Sequence, residues 1–148
     1  MSISKIGAGG LAAGSVLQVV MGTKTGEVTT SSNTAVDSGL SATITPSSAS
    51  SKVLIFANVP DAYNNVFANL LYLNIARGST EIIEFARHAN YNASGIGMSS
   101  HGGSTSYLDT PNTTLATTYK VQFKTQANSI RIFLNGSVGT IVLMEIAG

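Results

Sequence analysis

Residues 116–148, ATTYKVQFKTQANSIRIFLNGSVGTIVLMEIAG, hold three apolar runs of strand length. Between the last two stands Asn135-Gly136, the dipeptide of a two-residue hairpin turn, because both central positions of that turn need φ > 0. The spacing predicts an antiparallel ribbon that joins Ile130–Leu134 to Val138–Ile146. Just before it, Thr117–Thr125 alternates Tyr119, Val121 and Phe123 against Lys120, Gln122 and Lys124, the period-two signature of a half-buried strand. A chain that ends this way is committed to β-structure, and the rest repeats the pattern without one convincing helix.

Val16–Met21 (VLQVVM) is a continuous apolar run, which predicts a strand buried on both faces. The Thr-rich stretch that follows suits an exposed edge. Leu40–Thr45 alternates Leu40, Ala42 and Ile44 against Ser41, Thr43 and Thr45 until Pro46 ends it. Lys52–Val59 (KVLIFANV) is the most β-prone central run, stopped by Pro60-Asp61. Asn69–Arg77 puts Leu71, Leu73 and Ile75 on one face, and Gly78-Ser79 turns the chain back into Thr80–Arg87, which predicts a second hairpin. A short helix over 80–88 competes, because Glu, Ile, Phe and Ala there also fit helical spacing. Residues 88–106 form the longest irregular stretch, and Tyr107–Asp109 reads as a short strand. The sum is all-β, with about eight to ten short strands in an antiparallel two-sheet sandwich, most simply a jelly roll. Residues 1–15, small and Gly-rich, read as an extended N-terminal arm, and residues 16–148 as the sandwich domain.

Composition narrows the classes of function. Only 10% of the 148 residues are charged while 43% are apolar, and Ser, Thr, Asn and Gly supply the polarity. The net charge is +1, and the eight Lys and Arg are scattered, so no phosphate-tracking patch supports nucleic-acid binding and no polybasic segment supports a membrane surface. No stretch has the length of a membrane span, and the glycine-broken N-terminal run is not read as a signal peptide. Cysteine is absent, which excludes disulfides, thiolate nucleophiles and zinc–thiolate sites.

Catalytic constellations are weak. His88 and His101 are the only histidines. Ser99, Ser100 and Ser104 lie near His101, as abundance alone places them, and no G-x-S-x-G elbow exists. Glu81 and Glu84 have opposite strand parity and so do not form a carboxylate pair on a strand. The histidine spacing matches no zinc motif, and no calcium loop is present. The glycines near the N-terminus lack the strand and the Gly-Lys-Ser/Thr of a phosphate loop. These patterns predict no enzyme, metal or cofactor.

One apolar feature is left over. The final run, TIVLMEIA, is apolar on both parities, and so is Val53–Val59. A sandwich strand with one wet face reads differently. Either a loop covers the second face or another copy does, and the pattern predicts a homo-oligomer about a symmetry axis.

The phrases GSVLQVVMGTKTGEV, VDSGLSATITPSSASSKVLIFANV, YLDTPNTTLATTYKVQFKT and LNGSVGTIVLMEIAG resemble a group of small bacteriophage virion proteins and fibre-tip domains, common in phages of aquatic bacteria, cyanophages included. The resemblance spans nearly all of 15–148, and its motifs are structural. It implies a jelly-roll or tumour-necrosis-factor-like sandwich that tends to form homotrimers; of the doubly apolar final run, Leu143 or Met144 is the candidate for the trimer interface. It implies a capsid decoration or cement protein on the outer surface of the virion, bridging capsomers of the major capsid protein, with Ile3, Lys5, Ile6 and Leu11 as the capsid-binding arm. The alternative is the receptor-binding tip of a tail fibre, in which Asp61, Tyr63, Asn64, Phe67, His88, Tyr91, Asn92 and His101 would touch a host glycan. A fibre tip is expected to follow a shaft or adaptor, so the short arm favours the decoration role.

Overall fold

The computed structural model describes residues 12–64, 66–89, 99–100 and 102–148. Its strands are β1 (Val16–Lys24), β2 (Val28–Thr30), β3 (Val36–Ile44), β4 (Lys52–Val59), β5 (Ala62–Asn64), β6 (Leu70–Arg77), β7 (Thr80–Ala89), β8 (Ser99–Ser100), β9 (Gly103–Asp109), β10 (Thr117–Thr125), β11 (Ile130–Ile132) and β12 (Gly139–Ile146). There is no α-helix among the described residues, and none that is long and apolar enough to cross a membrane. The twelve strands among the described residues exceed the expected count because β2, β5 and β8 are two or three residues long, below the length at which alternation can be read.

Two four-stranded antiparallel sheets face each other, one ordered β1-β12-β4-β9 and the other β3-β10-β6-β7. This is the expected sandwich. A third small sheet, β2-β11-β5-β8, stands at one end. Alternation decides the core. Val53, Ile55, Ala57 and Val59 of β4 and Ile141 and Leu143 of β12 point inward from the first sheet. Leu40, Ile44, Leu71, Leu73, Ile75, Tyr119, Val121 and Phe123 meet them from the second. Ile130, Ile132 and Phe133 close the end under the small sheet. At the β1/β3 edge the sheets come so close that a Cβ on Gly22 would lie 1.9 Å from the Ser41 carbonyl oxygen, so only glycine fits there.

The β6–β7 hairpin forms as predicted, with Arg77 opposite Thr80, and residues 80–89 are strand rather than helix. The C-terminal ribbon does not form. β11 pairs with β2 and β5, whereas β12 pairs with β1 and β4. Asn135 and Gly136 do adopt positive φ, at 54° and 76°, but Phe133 before them is also left-handed at φ 59°. That extra reversal carries the chain from the small sheet into the sandwich. Asp61 holds the turn, accepting hydrogen bonds from Leu134 N at 2.8 Å and Ser137 Oγ at 3.1 Å.

Residues 14–15 and Ala147 share one end of the sandwich. Gly14 N donates to the Ala147 carbonyl at 2.8 Å and Ala147 N to the Ser15 carbonyl at 2.9 Å, which continues the β1–β12 ladder past Val16. The segments 45–51, 78–79 and 110–116 lie at this same end, because Val16 is opposite Ile146, Ile146 opposite Lys52, Val53 opposite Asp109, and Tyr119 opposite Arg77. The small sheet lies at the other end.

Candidate functional site

The outer sides of the two sheets differ in chemistry. On the β3-β10-β6-β7 sheet, Lys120 Nζ meets Asp37 at 2.8 Å, Arg87 meets Glu84 at 2.8 Å, and the Tyr72 ring lies between Arg87 and Lys124, 5.0 and 5.3 Å from its centroid. The Lys120 ammonium and the Gln122 amide hold the Asp37 carboxyl below its ordinary range. This is a solvated face.

The outer side of the β1-β12-β4-β9 sheet carries three uncharged rows set by register. Val19, Met144, Leu54 and Leu108 form the first row, next to Ile146 and the exposed Lys52 towards Ala147, and Met21, Val142, Phe56 and Ser106 form the second. Thr23, Thr140, Asn58 and Ser104 form the third. Val19 is 55% exposed, Met21 63%, Phe56 43% and Leu108 47%. Monomeric proteins seldom leave adjacent large apolar side chains uncovered over so much of a sheet. Phe56, Asn58, Ser104, Ser106, Thr140 and Val142 line a shallow cleft of about 510 Å³ near the polar row.

The expectation that β1 is buried on both faces is therefore corrected: its outward side chains stay open within one chain. The pair proposed for the trimer interface also separates. Met144 lies on the open outer side, while Leu143 has the opposite parity and is fully buried in its own core, so Leu143 is a packing residue.

The two candidate glycan loops are neighbours where β5 pairs with β8, Tyr63 opposite Ser100, but the described candidates differ in what they are free to touch. Asp61 is occupied by the Leu134–Ser137 turn. Asn64 is buried, donating to the Asn69 carbonyl at 2.7 Å and accepting from Asn69 Nδ2 at 3.2 Å. Tyr63 lies beneath the Arg131 guanidinium, 4.4 Å from ring centroid to Cζ, and Phe67 is 57% exposed. His88 sits half-buried on β7 opposite Leu71. Tyr91, Asn92 and His101 lie outside the described residues, as do Ile3, Lys5, Ile6 and Leu11. Among the described residues no group of three or more His, Asp or Glu could hold a metal.

Two polar clusters went unpredicted. Asp109 accepts from Tyr119 at 2.6 Å and from Arg77 Nη1 at 2.8 Å. Glu145, 1% exposed, accepts from Gln18 Nε2 at 2.6 Å, Ser47 N at 2.7 Å and Ser47 Oγ at 2.6 Å. Burial opposes ionisation of Glu145, but the Ser47 and Gln18 donors prevail, and its carboxyl lies below the ordinary range. The signal for Glu145 was a lone acid inside an apolar strand. Asp109, before Thr110-Pro111, gave no such sign.

No family model matches the chain, and no curated protein matches it. Among solved structures it is similar to the TNF protein Eiger of S. frugiperda, at TM-score 0.54 and 9% identity, over 87% of this chain and 93% of that one. It is also similar to VP2 of the infectious bursal disease virus subviral particle, at TM-score 0.43 and 14% identity, over 88% of this chain but only 38% of VP2. The first match establishes a tumour-necrosis-factor-like jelly-roll fold.

Proposed function

We propose that the protein is a non-enzymatic structural component of a phage virion that acts as a homotrimer on the outer surface of the capsid, cementing neighbouring capsomers of the major capsid protein. The observation that carries this reading is the pair of exposed apolar rows, Val19 to Leu108 and Met21 to Phe56, on the outer side of the β1-β12-β4-β9 sheet. Covering one aliphatic side chain of that kind is worth about 1.5–3 kcal/mol, and the rows offer several per copy. A second copy supplies the cover because the three rows carry no charged side chain, the exposed Lys52 standing beyond them at the end of β4, whereas the opposite sheet carries its charged groups across its face, so association through the rows buries no charge. The number three and the virion setting come from the sequence resemblance, which the jelly-roll fold supports. Each trimer brings three arms and so three weak contacts to the shell, and linkage makes them firm through effective concentration.

The test is sedimentation of the purified protein at micromolar concentration followed by imaging of the particle. A trimer on the shell supports the reading, and a stable monomer overturns it. The alternative, a glycan-binding fibre tip, draws on the exposed Phe67 and on Tyr63 of the small sheet. It predicts that the purified protein adsorbs to host cells and competes with the phage.

A further inference from the structure

The two flanks of the outer β1-β12-β4-β9 face differ in shape. On edge strand β1, Met21 and Thr23 both point outward and are exposed, the first apolar and the second carrying a hydroxyl. On the other flank is the shallow cleft of about 510 Å³. Phe56, Val142 and Ser106 line it at the level of Met21, and Asn58, Ser104 and Thr140 at the level of Thr23. Two strand spacings, roughly 10 Å, separate Met21 from Phe56, and Met21 does not line the cleft of its own chain. Neither level carries a charged side chain on any of the four strands. The Thr23, Asn58, Ser104 and Thr140 side chains have no hydrogen-bond partner among the described residues.

We infer that Met21 and Thr23 of one copy seat in the cleft of the next copy, so that a sister chain completes a site that one chain leaves open. The inference rests on the homotrimer reading above and adds which surfaces meet and how the copies are oriented. A trimer is a ring of heterologous contacts, in which each copy offers one surface and receives a different one. The two flanks of this face supply both. An axis running along the strands keeps the rows level in every copy, so like chemistry meets like. Met21 then meets Phe56 and Val142, where a thioether packs well against an aromatic ring. Thr23 meets Asn58 and Ser104, whose donors and acceptors are open to it. An axis across the strands breaks that match and buries hydroxyls against apolar side chains without partners, which is unfavourable. Both surfaces are uncharged, so the contact desolvates no ion.

The chain contains no cysteine, so a pair introduced into the full-length protein reports the contact directly. Met21 and Ser106 of one chain are three strand spacings apart, roughly 14 Å, too far for a disulfide within a chain. Mild oxidation of the double variant Met21→Cys with Ser106→Cys is expected to give a covalent trimer on a non-reducing gel, while either single variant stays unlinked. A charge pair gives a second reading. Met21→Asp alone should raise the dissociation constant at least hundredfold, and Ser106→Arg added to it should recover tenfold or more, because the new charges meet across the contact. A covalent dimer as the end product supports the pairing and overturns the number three. Linking by a single variant sets that residue against itself and overturns the pairing. Neither linkage nor recovery, in a parent protein that sediments as a trimer, overturns the pairing and leaves the trimer standing. A monomeric parent protein overturns both.

Discussion

The Tyr119 hydroxyl donates to Asp109 Oδ2 at 2.6 Å and so ties β10 of one sheet to the end of β9 in the other. Tyr119 is fully buried, and Arg77 neutralises the same carboxylate from β6. A hydrogen bond to a charged acceptor contributes about 1.5–3 kcal/mol net. Tyr119→Phe should therefore lower stability by about that amount at pH 7, read as a drop of several degrees in melting temperature. Burial and then the Asp109 charge push the Tyr119 pKa above its ordinary value. A raised folded value means that stability is complete below the unfolded pKa, about 10, and is lost as pH rises beyond it. The parent protein should lose stability more steeply above pH 10 than Tyr119→Phe does, as denaturant unfolding at pH 8 and pH 11 would show. Parallel curves would exclude this bond as the cause.

Glu145 behaves in the opposite sense. Its carboxyl is lowered, so its contribution is present above the unfolded value, about 4.3, and is lost as pH falls through the folded one. Glu145→Gln turns one accepting oxygen into a donor facing Gln18 Nε2. It should cost about 1–3 kcal/mol at pH 7 and remove much of the pH dependence below pH 4.5. The strain falls where β1 begins, so hydrogen exchange should rise first in residues 14–18 and 45–48. Uniform loosening of the sandwich would contradict a local clasp.

The sandwich was legible because strand parity is a local property. The alternation in β10 and β3 and the bounds of β4 can be read from neighbours in sequence, and so can the Gly78-Ser79 reversal. Pairing is not local. Asn135-Gly136 has the φ values that its chemistry predicts, yet the left-handed Phe133 two residues earlier decides which sheets the flanking strands join, and an aromatic residue carries no advance sign of positive φ. Parity also misleads where both sides of a strand are apolar: nothing in TIVLMEIA says whether Leu143 or Met144 faces inward until the β4 register is known. Among the loop candidates, Asp61 and Asn64 are taken up by their own chain for a related reason. Asn and Asp look alike in sequence whether they greet a ligand or cap their own backbone.

Asp61 illustrates that second role. Its two bonds anchor the turn that transfers the chain between sheets. Asp61→Ala should lose about 1–3 kcal/mol and should leave adsorption to host cells unaltered. Adsorption lost at unchanged stability would return Asp61 to a binding surface.

Met21 and Leu143 separate assembly from packing. Met21 is 63% exposed on the outer row, whereas Leu143 is wholly inside. Met21→Asp places a charge in the surface that a sister copy would cover, where an unpaired buried charge is strongly unfavourable. It should yield monomers at micromolar concentration while each subunit keeps its β-sheet circular dichroism. Leu143→Ala opens a cavity in the core and should cost about 2–5 kcal/mol, while the subunits that stay folded still assemble. The two variants therefore move different observables, mass for Met21 and unfolding free energy for Leu143. Should Met21→Asp sediment like the parent protein, the apolar rows of the outer sheet are not the contact between copies, and the trimer would have to be built from another surface.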